Sequence, residues 1–497
     1  MAASSLFEGW NHAIGWLRKG GTAVVVGLAL GCTPDPVLVS DQCVATTEPI
    51  LLRTSAGFPG RWSMGMLEGQ LIFSYTTSSG LEGDPVEARA QWFDQDLQPV
   101  TDDFALAAGT AMPPFEWLTF DGAVWAQIWG EEDAGAVSPL REQVSIWRLL
   151  PRSTHAVRTE VALPVTRAFD GSDLTPIDIG ATSVTAGADG RAPAAVGHGA
   201  PTFVLSGIPR TCPGPPVANF SRLIVFDEGA NAVDLSGEEA CALDGTVWAH
   251  NMRLVSLHDG GLGVLFRLGI SIGQGYIYYS RIGPDLTLLD TPPIRVDWTT
   301  YAWNIPGGFQ PQAVALGSGT LLFTNRDPES SYNVCQELRL VEPDGSSPRD
   351  APYQMPCRNA HGALIRRDWA DTLSQWVVVE PLASGHAIIA YGERPYHDSA
   401  PFTRRVDTRV RWEEGVFLHT IDEAGRRSSD IVRVTPPQST ALADPLTPRT
   451  ADSGPIPGDF EVQAVTEGDD VVVAWRDNRP DAPGYYARRY RCTENPE

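Results

Sequence analysis

The string GISIG at 269–273 matches the G-x-S-x-G pattern of a nucleophile elbow, which needs a strand, a sharp turn and then a helix. Here GYIYYSRIG follows. Its aromatic and β-branched residues read as another strand, so Ser271 lacks the helix that mechanism requires. Metal chemistry has as little to build on. The nine histidines are scattered, with no HExxH and no close pair. DQD at 94–96 could lend oxygens to calcium, which takes about six to eight, but nothing near it completes the set. A solvated turn is the expected role. Acid pairs such as Glu131-Glu132 could serve a hydrolase only if two carboxylates faced one bond in space. TFDGAVW and ALDGTVW fall short of a sialidase-type Asp-box, because each lacks the residue between Asp and Gly. No catalytic residue, metal site or cofactor is therefore expected.

The N-terminus carries the most specific local pattern. Arg18-Lys19 precedes GGTAVVVGLAL, an apolar run too short to span a bilayer as a helix. The run ends in LALGC, with Gly31 immediately before Cys32. This resembles a bacterial lipoprotein signal. The resemblance implies cleavage before Cys32, lipidation of its thiol and acylation of its amine; several acyl chains suffice for stable anchoring. Residues 1–31 are then the signal peptide and 32–42 a tether. Thr33, rather than Asp, favours the outer membrane by the same resemblance. An ordinary cleaved secretory signal is the alternative, and either reading exports the protein.

Export gives the cysteines their meaning. With Cys32 taken as the lipid site, Cys43, Cys212, Cys241, Cys335, Cys357 and Cys492 remain, an even number in an oxidising compartment. None forms a CxxC pair, which argues against zinc or a thioredoxin-like site. Six cysteines allow about 15 pairings. Local spacing favours Cys212–Cys241 and Cys335–Cys357, which leaves Cys43–Cys492 to join the two ends of the mature chain.

Elements that could position any site emerge when the chain is cut at short Gly-containing turns. These are Glu68-Gly69, Asp121-Gly122, Asp189-Gly190, Asp259-Gly260, Ser318-Gly319, Ser384-Gly385 and Glu467-Gly468. Each falls between two apolar strands, RWSMGML and QLIFSY in the first copy, FEVQAVT and DVVVAW in the last, and suits a hairpin because Gly accepts positive φ. A third strand recurs after each pair, and six copies continue into a weaker fourth. Serial four-stranded antiparallel units fit an all-β fold, a single β-propeller, whose ring packs each blade face on a neighbour. Seven blades are expected, with six or eight as alternatives: 61–104, 115–164, 180–236, 250–297, 310–350, 374–435 and 459–492. The last lacks a fourth strand, and CVATTEPILLRT (43–54) is expected to supply it, so that 43–497 forms one closed domain. WRDNR (475–479) resembles a W-x-D-x-R blade motif of exported bacterial propeller proteins, which supports the fold rather than a function.

Strand polarity puts the second–third loops and the inter-blade connections on one face, here called upper. The long segments lie there, and long loops on a rigid scaffold are where binding sites usually sit. Trp129, Trp298, Tyr301, Trp303, His361, Tyr391, Arg394 and Arg479 are the candidates, able to stack on a sugar or grip an extended peptide. Blade-to-blade packing is the competing role for each. The net charge of −24 over 497 residues disfavours nucleic acid, since no basic stripe offsets it. The expectation is a monomeric, lipid-anchored envelope propeller acting as a binding or scaffold module for a protein or glycan. The alternative is a carbohydrate-active hydrolase or lyase using upper-face carboxylates.

Overall fold

The computed structural model describes residues 41–54, 62–77, 87–106, 116–128, 143–162, 194–197, 199–211, 219–229, 232–234, 248–271, 274–290, 293–300, 312–326, 336–353, 355, 372–395, 415–436, 461–477 and 483–494. Contacts divide the chain into residues 1–37 and 38–497, and every described residue belongs to the second unit. Among the described residues all regular structure is β. It forms seven antiparallel sheets, six of them four-stranded meanders in chain order. The protein is a seven-bladed β-propeller, with blades at 62–105, 118–162, 194–234, 248–300, 313–350, 372–433 and 461–494.

The first strands of neighbouring blades touch in sequence, and the strand of blade seven, Glu461–Glu467, returns to that of blade one, Trp62–Leu67. The ring is thereby closed. Each blade is covered on both faces, which is why Trp62–Leu67 is buried along its whole length and reads as a continuous apolar run. The core is a set of clusters between adjacent blades. One joins Trp92, Trp117 and Trp147 of blades one and two, another Val378, Leu418, Val473 and Trp475 of blades six and seven.

The turns behave as glycine chemistry requires. Glu68 and Gly69 have φ of 52° and 72°, and Asp121 and Gly122 of 46° and 65°, the paired left-handed geometry of two-residue hairpins. Blade three differs from expectation. Its described hairpin joins Ala194–Gly197 to Ala200–Thr211, with Gly199 at φ 71°. The first strand is therefore AAVG, not ATSVTAGA, and Asp189-Gly190 lies outside the described residues. Gly199 supplies the positive φ without an acidic residue before it in the sequence.

A second turn recurs between third and fourth strands. The N–H groups of Asp94, Gly283, Glu342 and Asp422 donate to the carbonyls of Gln98, Thr287, Ser346 and Arg426. In the first of these turns Asp94 Oδ1 accepts the Asp96 and Gln98 amides at 2.9 and 2.8 Å. DQD is thus a turn that satisfies its own backbone.

The ends meet as expected, in finer detail. Asp41–Ala45 and Ile50–Thr54 both pair antiparallel with the last strand, Gly484–Glu494. The expected single strand over 43–54 is thus two, interrupted at 46–49. Cys43 lies opposite Cys492 in register and is bonded to it. Beside the bridge, Asp41 is 3% exposed; its carboxylate accepts Ser428 Oγ at 2.6 Å and contacts His386 Nδ1 at 2.7 Å. Burial opposes the Asp41 charge, but the His386 and Ser428 hydrogen bonds outweigh it and hold the carboxyl below its ordinary value. Across the blade seven–one seam, the buried Arg489 donates to the carbonyls of Gly69 and Gln95. Glu467 accepts the Glu68 and Gly69 amides, each at 2.6 Å.

Candidate functional site

Seven inner strands enclose a cavity of 580 Å³ at the centre of the ring. Its wall is about half polar and half apolar; the apolar part includes Met66, Trp117, Ala195, Val314, Leu382 and Val465. Polar side chains enter it from five blades. Glu116 precedes the inner strand of blade two, Leu118–Phe120. Arg253 lies in that of blade four, Trp248–Ser256, and Glu380 in that of blade six, Thr372–Pro381. Gln312 and Gln463 come from blades five and seven.

Arg253 is the centre of this group. The pairing of its strand shifts register between His250 and Arg253, and a bulge of this kind bends a strand and redirects the side chain beside it. Its Nη1 donates to Glu116 Oε1 at 2.8 Å, and its Nη2 lies 3.5 Å from Glu380 Oε1. One guanidinium thus reaches blades two and six from blade four, as a bar across the channel. The three side chains are 14%, 24% and 20% exposed respectively. Burial works against the Arg253 charge, but the two glutamates outweigh it and hold the guanidinium above its ordinary value. Its Nε–H is buried without an acceptor among the described residues. Gln312 is 4% exposed. Its backbone N–H donates to Thr324 Oγ1 and its backbone carbonyl accepts the Thr324 amide. Gln463 Nε2 donates to the Trp62 carbonyl at 2.7 Å.

Most of the upper-face residues expected from the sequence lie outside the described residues. Trp129, Tyr301, Trp303, His361 and Arg479 lie outside the described residues, as do Cys32, Cys212, Cys241, Cys335 and Cys357. Trp298 stands opposite Tyr276 and Arg394 opposite Leu373 in their sheets, and their side chains are outside the described set. Tyr391 is 1% exposed. It stacks on Phe417 and meets His419 edge-on, so it is a packing residue rather than part of an open ligand face. Ser271 of the G-x-S-x-G match ends a strand that pairs with the next strand, Gln274–Ile282, rather than leading into a helix. Among the described residues no group of three potential metal ligands occurs.

The channel residues were overlooked in the sequence, although a cue was there. Each is a charged or amide residue in or beside a mainly apolar first strand, four to six positions before its turn: FEWLTF, MRLVSLH, PQAVALG, QWVVVEPLA and FEVQAVT.

No protein-family model matches the chain, and no curated protein matches it. Solved structures with a similar course do exist. A protein of unknown function from Dyadobacter fermentans is 10% identical, with a TM-score of 0.41 over 91% of this chain and 99% of its own. The β-propeller domain of the Trilobed protease from Pyrococcus furiosus is 7% identical, with a TM-score of 0.41 over 88% and 100%. A polysaccharide lyase, Uly1, is 11% identical, with a TM-score of 0.36 over 90% and 99%. Likeness at this level carries nothing about activity.

Proposed function

We propose that this chain is an exported, lipid-anchored propeller of a bacterial envelope that works as a binding or scaffold module for a protein or glycan. The LALGC run supports the anchor at Cys32. The Cys43–Cys492 bond supports export, since disulfides persist in oxidising compartments. The excess negative charge speaks against a nucleic-acid partner.

The arrangement of Arg253 carries binding over hydrolysis. A glycosidase places two carboxylates on opposite sides of a scissile bond. Here Glu116 and Glu380 both address one guanidinium, which occupies the space between them. The hydrolase or lyase reading needs carboxylates on the upper face instead.

The test incubates the full-length protein with immobilised glycans and follows retention and product release together. Retention without new reducing ends or unsaturated products is expected; turnover at a rate abolished by an upper-face carboxylate substitution would contradict the reading. The anchor is tested separately. Cys32→Ser is expected to move the protein from the membrane to the soluble fraction, and unchanged fractionation rejects lipidation.

A further inference from the structure

The cavity's charges and hydrogen-bonding groups narrow the ligand, on the premise that the chain is a binding module. Two carboxylates, Glu116 and Glu380, flank the one guanidinium of Arg253. An anionic guest would add repulsion to the cost of its own desolvation. A wholly apolar guest would strip water from three charged groups and return no hydrogen bonds. What the walls lack is a partner that gives and takes at once. The Arg253 Nε–H has no acceptor among the described residues, the Gln312 amide offers both a donor and an acceptor, and carboxylates accept several hydrogen bonds each. A hydroxyl group donates and accepts. Met66, Val314, Leu382 and Val465 add apolar surface for the C–H face of a ring. A cavity of 580 Å³ falls within the range of small-molecule sites.

We propose that the central channel is the ligand site, and that its guest is an uncharged polyhydroxyl unit: a sugar residue without carboxylate, sulfate or phosphate. Arg253 and Gln312 supply donors to its oxygens, Glu116 and Glu380 accept from its hydroxyls, and the same two carboxylates repel acidic sugars. The bulge before Arg253 places the guanidinium on the axis, where all seven inner strands face it.

The test uses the full chain extracted in detergent. Neutral gluco-, galacto-, manno- and xylo-oligosaccharides are compared with oligogalacturonate and sulfated oligosaccharides by calorimetry. Gln312→Met and the pair Glu116→Gln/Glu380→Gln are measured beside the wild type, each checked by its thermal midpoint. Wild type is expected to bind at least one neutral series and to bind the acidic ones at least about tenfold more weakly. Gln312→Met should weaken the neutral ligand by about tenfold, the loss of one hydrogen bond. The double variant should narrow the discrimination against oligogalacturonate by a similar factor. A wild-type preference for acidic sugars overturns the proposal. So does neutral-sugar binding that folded variants leave unchanged, although the binding-module reading then survives with its site elsewhere. Release of cleaved products overturns both.

Discussion

At the scale of single residues, His419 links burial to a pH response. It is wholly buried and stands edge-on to Tyr353 and Tyr391, with centroids 5.0 and 5.7 Å away. Neither ring nitrogen has a hydrogen-bond partner among the described residues. Burial, and then the nearby Arg427 charge, push its pKa down to about 3. Between that value and the ordinary 6.5 the unfolded chain binds a proton that the folded chain refuses, so stability falls as pH falls. From pH 7 to pH 5 this amounts to about 2 kcal/mol. His386 acts in the opposite sense. Its pKa is raised chiefly by the Asp41 hydrogen bond, so its contribution is present in acid and lost as pH rises through the folded value. His419→Leu is therefore expected to reduce the acid loss by about 2 kcal/mol, read from urea midpoints at both pH values. Parallel curves for variant and wild type would contradict this. None of it was legible beforehand: VFLHTIDEAG reads as a strand with a histidine in it, and only the packed ring shows that no solvent reaches the imidazole.

Among the elements, the turns were the readable part and the joints between blades were not. Acidic-Gly pairs marked hairpins because two successive residues at positive φ need glycine chemistry, and Glu68-Gly69 and Asp121-Gly122 have that geometry. Blade three escaped because its positive-φ glycine, Gly199, follows a histidine in the sequence rather than an acidic residue. Polar residues in the inner strands looked like interruptions of an apolar pattern. Their role depends on three blades meeting at one axis, which no local window of sequence contains. Gly65 is a similar case. A Cβ there would lie 2.5 Å from Trp117 Cβ, on the tryptophan whose Nε1 donates to Ser74 Oγ between blades one and two. Gly65→Ala should cost about 1–3 kcal/mol by overpacking this joint, measured by chemical denaturation. An unchanged midpoint would show that the blades separate more easily than the packing implies.

For the whole molecule, the architecture turns on how a ring is closed. The expectation that the N-terminal segment completes the last blade came from counting strands: seven units, one of them a strand short. Sequence placed the two ends together, but it did not foresee the break at 46–49, nor the Asp41–His386–Ser428 contacts and Arg489 beside the seam. These depend on partners hundreds of residues away. The bond between Cys43 and Cys492 has a sequence separation of 449. Closing so long a loop removes unfolded-state entropy worth about 5 kcal/mol or less. Opening it should lower stability by up to that amount and expose the edge of Gly484–Glu494 first. The most direct measurement is disulfide mapping of the full-length protein, purified without reductant and digested with free thiols blocked. A linked peptide pair containing Cys43 and Cys492 is predicted. Recovery of either cysteine as a free thiol, or bonded to another cysteine, would contradict a ring closed by its own two ends.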